Sequence, residues 1–273
     1  MSICLGAHLS ISGGLSKTIE EAFRLGLSTI QFFSRNPRSL RSAKRLKPIY
    51  IPFNVFFLHG PYLLNLASYN EIYDLSKKAL LEDLLWGESL GATGIVVHPG
   101  SHKGSGVRNG ISRIVMALEE IINKSNTRCK IILENTSGAG AQLGASPEEF
   151  KAIIDSISDK TRLGICIDTC HLFSAGFDIR NTDGIRETFD RWFSLLDTSY
   201  LILFHANDSK GKLGSRLDRH THIGEGEIGE EGFKSLFNFE IFRTRPIIIE
   251  TPKNPPGSDE KNIYKLRELG SLL

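Results

Sequence analysis

LGICIDTCHLFSAGFD, residues 163–178, opens as a short apolar run from Leu163 to Ile167, of strand length and rich in β-branched residues. The run ends on a carboxylate, Asp168, and an imidazole follows at His171. An Asp and a His at the end of a buried strand project from one edge of a sheet. Such a pair is a common way to hold a divalent metal, although a His donating to a nearby Asp is also an ordinary hydrogen bond. Recurrence of the pattern along the chain separates the two readings.

Outward from this run, the same design repeats. Apolar strands are predicted at 3–8, 27–33, 53–59, 94–98, 130–134, 163–168, 200–205 and 246–250. Helices are predicted between them at 15–25, 71–90, 109–122, 146–157, 185–196, 230–237 and 259–269. Ser146, Pro147 and Glu149 read as N-cap, first turn and capping box of one of these helices. The basic segment SRNPRSLRSAKRLK, residues 34–47, reads as a loop with a helix. The strands are continuous apolar runs, as expected where both faces are buried, and their alternation with helices implies a parallel sheet. Eight such units point to an α/β fold of the (β/α)8 TIM-barrel type, with 1–273 as a single domain, because about 250 residues suffice for one. A doubly wound open sheet is the runner-up. No glycine-rich nucleotide-binding motif supports it.

Composition adds bounds. Hydrophobic residues make up 40% of the 273 and charged residues 23%, the balance of a globular protein with a full core. No apolar run is long enough for a membrane span, so no membrane partner is expected. The start, MSICLGAHLS, does not read as a signal peptide. Four cysteines give no disulfide framework and point to a reducing interior.

His59, His98, Glu134, Asp168, His205 and Glu250 each end a predicted strand. In a barrel all strand C-termini meet at one face, where the active site sits. His171 lies just past strand six, and Asp218 and His220 lie in the long glycine-rich loop after strand seven. Five imidazoles and four carboxylates are too many for one ion and suit two or three. The imidazole content favours zinc or manganese over magnesium. Three divalent ions with four carboxylates leave a net charge of about +2, which attracts an anion such as a phosphodiester. Residues 22–70 contain Arg24, Arg35, Arg38, Arg41, Lys44, Arg45 and Lys47 and no acid. Such a run is either a solvated face or a surface for a polyanion beside the metal mouth, and Lys210, Lys212, Arg216 and Arg219 extend it.

GAHLSISGG at 6–14, HGPYLLNLA at 59–67, HPGSH at 98–102, ENTSGAG at 134–140, CIDTCHLFSAGFD at 166–178, HANDSKGKLGSRLDRHTHIGEGEIG at 205–229 and ETP at 250–252 resemble the endonuclease IV family of apurinic/apyrimidinic endonucleases. The resemblance runs nearly end to end. It implies a TIM barrel with three Zn2+, Mn2+ being acceptable at one position, that hydrolyses the phosphodiester 5′ to an abasic site in duplex DNA. It implies that His59 and His98 bind the first zinc, and that Glu134 bridges it to a second completed by Asp168, His205 and Glu250. His171, Asp218 and His220 would hold the third. Glu250 and Glu134 would be the catalytic carboxylates around a metal-activated hydroxide, leaving a 3′-hydroxyl and a 5′-deoxyribose phosphate. Arg38, Tyr62 and Leu63 would contact and wedge the DNA. A monomeric, cytoplasmic enzyme is expected, nucleoid-associated when bound to DNA. The family's ENTAGQG reads ENTSGAG here, so Ala139 stands where a Gln is usual.

Two rivals stay open at this level. A sugar isomerase on the same scaffold would need a carboxylate-rich site with one or two metals. A DNA-binding protein with structural zinc would need closed four-ligand sites. His8 shares the mouth with no ligand slot of its own, His102 and His222 read as loop residues, and Cys166 reads as barrel filling below Asp168. Cys170, between two ligands, could compete for metal.

Overall fold

The computed structural model describes residues 3–42 and 45–271. Eight parallel strands close into a barrel: β1 (Leu5–His8), β2 (Thr29–Phe33), β3 (Phe57–His59), β4 (Gly94–Val97), β5 (Lys130–Glu134), β6 (Leu163–Asp168), β7 (Leu201–His205) and, last in the chain, β10 (Ile247–Ile249). The ring closes where Leu5 pairs with Ile247. Between β7 and β10 a two-stranded antiparallel ribbon intervenes, β8 (Asp208–Ser209) and β9 (His220–Thr221). Outside the ring run α1 (Leu15–Arg24), α2 (Glu71–Leu90), α3 (Val107–Lys124), α4 (Pro147–Asp155), α5 (Thr169–Ser174), α6 (Thr182–Leu195), α7 (Gly229–Leu236), α8 (Glu240–Thr244) and α9 (Ser258–Leu269). The open sheet is excluded. Among the described residues no helix is long and apolar enough to cross a membrane.

The barrel wall explains why ligands sit at strand ends. Phe57, Val96, Ile132, Cys166, Leu203 and Ile248 form one buried cluster inside the ring, while the larger apolar cluster lies between strands and helices. Successive side chains alternate across a strand. Two residues beyond each filling residue, on the same inward face, come His59, His98, Glu134, Asp168, His205 and Glu250. The filling layer is thus the floor of a polar layer. In β7 the ladder steps from Ile165–Leu201 to Cys166–Leu203, so Ile202 is an extra residue, a bulge. Beyond the bulge, Asp168 pairs with His205.

Several expectations change. No helix forms in 34–47 among the described residues, and Lys44 lies outside them. The segment instead wraps an ion pair: Arg35 donates to both carboxylate oxygens of Asp83 and to the carbonyls of Leu40, Arg41 and Ala79. Arg45 and the Ser34 hydroxyl reach the same carboxylate, and Asp83 is fully buried on α2. Arg35 and Arg45 are therefore committed to the fold and not to a solvated basic face. Arg24 is paired with Glu21 and Glu260. The capping box also differs: Glu149 accepts from the amides of Gly144 (2.6 Å) and Ala145 (3.0 Å), ahead of the Ser146 position, and Ser146 makes no side-chain cap bond. The short helices α5 and α8 add to the expected set. Asp168 starts α5 by accepting the His171 amide at 2.9 Å.

Candidate metal centre

Glu134 lies at the middle of the polar layer, fully buried. Its Oε2 faces His59 Nε2 at 3.3 Å and His98 Nε2 at 3.1 Å, and its Oε1 faces His205 Nδ1 at 3.0 Å and His171 Nδ1 at 3.4 Å. With Oε2 toward His59 and His98 and Oε1 toward His205, this carboxylate has the geometry of a bridge, whereas His171 turns to it the nitrogen tied to the Asn135 carbonyl. His205 Nδ1 also lies 3.4 Å from Glu250 Oε2 and 3.9 Å from Asp168 Oδ2. On the far side, His171 Nε2 and His220 Nε2 approach Asp218 Oδ1 at 3.1 and 3.6 Å.

Three sets of side chains thereby bring ligand atoms within 4.8 Å of one another: His59, His98 and Glu134; Glu134, Asp168, His205 and Glu250; His171, Asp218 and His220. All nine residues singled out in the sequence fall into these sets. Cys166 and Cys170 lie within reach of two overlapping groupings. Burial pushes both thiols up to about 12, so neither offers a ready thiolate.

The hydrogen bonds fit this donor set to metal. His59 Nδ1 lies 2.7 Å from the Gly60 carbonyl, His171 Nδ1 2.9 Å from that of Asn135, and His220 Nδ1 3.3 Å from that of Glu250. A carbonyl only accepts, so each Nδ1 carries a proton and each neutral ring turns an Nε2 lone pair inward. The buried Nε2 atoms of His171 and His220 have no hydrogen-bond partner. Buried orphaned acceptors are costly, and a cation beside Asp218 satisfies them. The mix of imidazole and carboxylate donors suits zinc or manganese.

Without a cation, protons take its place. Burial works against the charged imidazoles of His171 and His205, yet Asp168 and Asp218 at His171, and Cys166, Glu250 and Glu134 at His205, hold both well above the ordinary histidine value. Burial likewise opposes ionisation of Glu134 and Glu250, but the surrounding imidazoles hold both well below the usual carboxylate range.

A second layer escaped the sequence reading. Asn207 donates to Asp168 Oδ2 at 2.6 Å and accepts from the Glu250 amide at 2.7 Å. Asn135 accepts from the Asp168 amide at 2.6 Å. Gln31, buried on β2, contacts His205, Glu250 and His8. Asp208 accepts four backbone amides, from Ser209, Gly224, Gly226 and Ile228, and so ties both ends of the loop bearing Asp218 and His220. A Cβ on Gly226 would stand 2.5 Å from Asp208 Oδ1, so the wrap needs glycine there. The signal for these residues was a polar side chain inside or just past an apolar strand. His102 and His222 take loop contacts, with the Gly106 amide and with Asn254 and Asn262.

Around the mouth, Arg38 is exposed, and Tyr62 and Leu63 are 62% and 50% exposed. The Tyr62 amide donates to the Pro37 carbonyl at 2.9 Å, so the loops after β2 and β3 are joined. A cleft of about 610 Å3, bordered by His8, Ser10, Phe33, Trp86 and Lys253, opens on one side of these residues. A second, of about 530 Å3, runs past Tyr62, Leu63, His98 and Ala139. At the Ala139 position the Gln142 carboxamide accepts the backbone amide at 3.1 Å.

Residues 19–269 match the family described as xylose isomerase-like TIM barrel. The probable endonuclease 4 of Halothermothrix orenii is 38% identical over 259 residues, covering 91% of this chain and 93% of that protein. The crystal structure of endonuclease IV from Thermus thermophilus superposes with a TM-score of 0.83 at 30% identity, covering 98% of this chain and 99% of the other. A D-tagatose 3-epimerase-like protein superposes at 0.71 with 22% identity, covering 98% of each chain, a likeness of fold alone.

Proposed function

The chain belongs to the endonuclease IV family, a DNA-cleaving hydrolase family, and from that premise we propose a zinc-dependent DNA-repair endonuclease that cuts duplex DNA on the 5′ side of an abasic site. The products are a 3′-hydroxyl and a 5′-deoxyribose phosphate. The observation that carries this reading is Glu134, with one oxygen turned to His59 and His98 and the other to His205, beside a third group of His171, Asp218 and His220. His59, His98 and Glu134 would hold one ion; Glu134, Asp168, His205 and Glu250 a second; His171, Asp218 and His220 a third. Zinc in such a site supplies Lewis acidity toward phosphoryl oxygens and a water acidified toward neutral pH.

The protein's own groups do the rest. Glu250 keeps Oε2 toward the shared centre and is the carboxylate that orients the attacking water and takes its proton. Glu134, shared between the first two groups, would keep their donors in one frame and so fix how a phosphodiester is oriented there. Arg38, Tyr62 and Leu63 contact the duplex. The exposed aromatic and aliphatic side chains offset the stacking lost when the abasic nucleotide leaves the helix. Arg38, Arg41 and Lys47 remain to meet phosphates after Arg35 and Arg45 are spent on Asp83. All nine candidate ligands lie on one chain, so the proposed site needs no residue from a second copy, and we propose a monomer as the acting form.

The test is single-turnover cleavage of a duplex carrying one tetrahydrofuran abasic analogue, with elemental analysis of the same preparation. Cleavage 5′ to the analogue and close to three ions per chain, mostly zinc, are expected. Binding without cleavage, with zinc or manganese supplied, would favour a DNA-binding protein. One ion or none in active protein would overturn the three-ion site.

A further inference from the structure

We propose that Gln31 is a positioning residue that fixes which nitrogen of His205 faces the metal centre and which oxygen of Glu250 does so. Its side chain is fully buried on β2, in register with His8 on β1. A buried carboxamide is costly unless its groups are satisfied. Gln31 Nε2 lies 2.6 Å from Glu250 Oε1, and Gln31 Oε1 lies 3.0 Å from His205 Nε2.

The orientation follows from elimination. The ionised Glu250 carboxylate only accepts, so the Gln31 atom nearest to it must be the NH2 group. That turns Gln31 Oε1 toward His205. An oxygen there only accepts, so His205 Nε2 must carry a proton. When His205 is neutral, its lone pair is therefore on Nδ1, the atom 3.0 Å from Glu134 Oε1 and 3.4 Å from Glu250 Oε2. His59, His171 and His220 have the opposite arrangement, with Nδ1 tied to a carbonyl and Nε2 inward. Glu250 is constrained by the same amide. Its Oε1 is engaged by Gln31 and by His8 Nδ1 at 2.9 Å, which leaves Oε2 for the centre. One uncharged side chain thus sets two ligands of the middle group, and does so without titrating.

This inference rests on the proposed zinc site but not on the DNA reaction, and its first two readouts need no DNA. The variants are Gln31→Met, which keeps length and removes both polar ends, and Gln31→Glu, which keeps an acceptor toward His205 and loses the donor toward Glu250. The zinc-loaded proteins are compared by long-range 1H–15N NMR of the histidine rings and by zinc release to a chelator. The parent should show His205 as the Nε2–H form. Gln31→Met should lose that signature and release one zinc at least tenfold faster, within the 10- to 100-fold range typical of residues that orient metal ligands. Gln31→Glu should restore the His205 signature. Its kcat on the tetrahydrofuran duplex should fall at least tenfold with KM little changed, because Glu250 is repelled. An unchanged His205 form and unchanged zinc release in Gln31→Met would overturn the proposal. Should Gln31→Met fail to fold, parent-level kcat in Gln31→Glu overturns it instead. A parent that never cleaves but obeys the NMR and release pattern would refute the nuclease reading and leave Gln31 in its role.

Discussion

Glu250 enters the metal centre with one oxygen already engaged, and that makes its charge testable apart from its shape. Glu250→Gln keeps the strand end and the fit against β1. Single-turnover cleavage should fall by at least about 10²-fold, the usual cost of a positioned acid–base group, while abasic-duplex binding persists. A variant cleaving at the parent rate would contradict the assigned role. The imidazoles give a second prediction, on pH. In metal-free protein His171 and His205 have folded values above their unfolded ones. The stability they contribute is full below about pH 6.5 and is lost as pH rises through their raised values. Zinc reverses this slope, because it binds the deprotonated rings. Urea unfolding with and without zinc should therefore show stability changing in opposite directions as pH rises from about 6.5 to 8.5. Parallel slopes would mean that the rings are not ligands.

At the scale of elements, the loop after β2 is bracketed by α2 on one side and the Tyr62 loop on the other. Tyr62→Ala should weaken abasic-DNA binding by about 1–3 kcal/mol, the worth of an aromatic–base contact, with zinc content and unfolding unchanged. Asp83→Asn should weaken binding too, but through the fold. It removes the carboxylate shared by Arg35 and Arg45 and leaves Arg35 only Glu82, at 3.2 Å; breaking a buried pair costs up to about 3–5 kcal/mol, so urea stability falls with it. Equal unfolding midpoints for the two variants would refute the bracket. The same elements mark how far the sequence could be read. Strands β1 to β7 and β10 were legible because burial on both faces writes an uninterrupted apolar run, and the nine ligand candidates because each run stops at a polar residue or precedes a loop that carries one. The segment 34–47 was legible as a basic loop, but the helix expected within it does not form among the described residues, because its arginines look helical until Asp83, far away in sequence, is placed beneath them. A carboxylate on the buried stripe of α2, between Leu80 and Leu84, was the available hint. Gln31 was visible as a polar break in TIQFF, but its partners lie on β1, on β7 and just past β10, and only closure of the barrel brings them together.

For the whole molecule, the polar layer rests on a floor that is complete without it. The filling residues and the helices pack as apolar clusters that include none of the nine candidate ligands. Stripping zinc should therefore leave the far-ultraviolet circular dichroism nearly unchanged while lowering the melting temperature. Binding at a hundredfold excess over Kd is worth about 2.7 kcal/mol per site. Collapse of the spectrum on chelation would show that the barrel needs metal to fold.

The Asp208 wrap gives the site a clock. Asp218 and His220 stand on a loop outside the barrel, held by the Asp208 carboxylate and by hydrogen bonds to Phe173 and Ser174 of α5, whereas the ligands on β3, β5, β6 and β7 move only if the barrel opens. Loops outside a barrel open more often than its core strands do. Departure of ions should therefore be ordered, with the one beside Asp218 the first to leave and the last to be reloaded. Mixing with excess chelator should release one equivalent in a fast phase ahead of the rest, and Asp208→Ala should hasten that phase alone. Under scarce zinc the protein would then dwell in a partly charged form, and supply of the metal would act as a throttle on turnover.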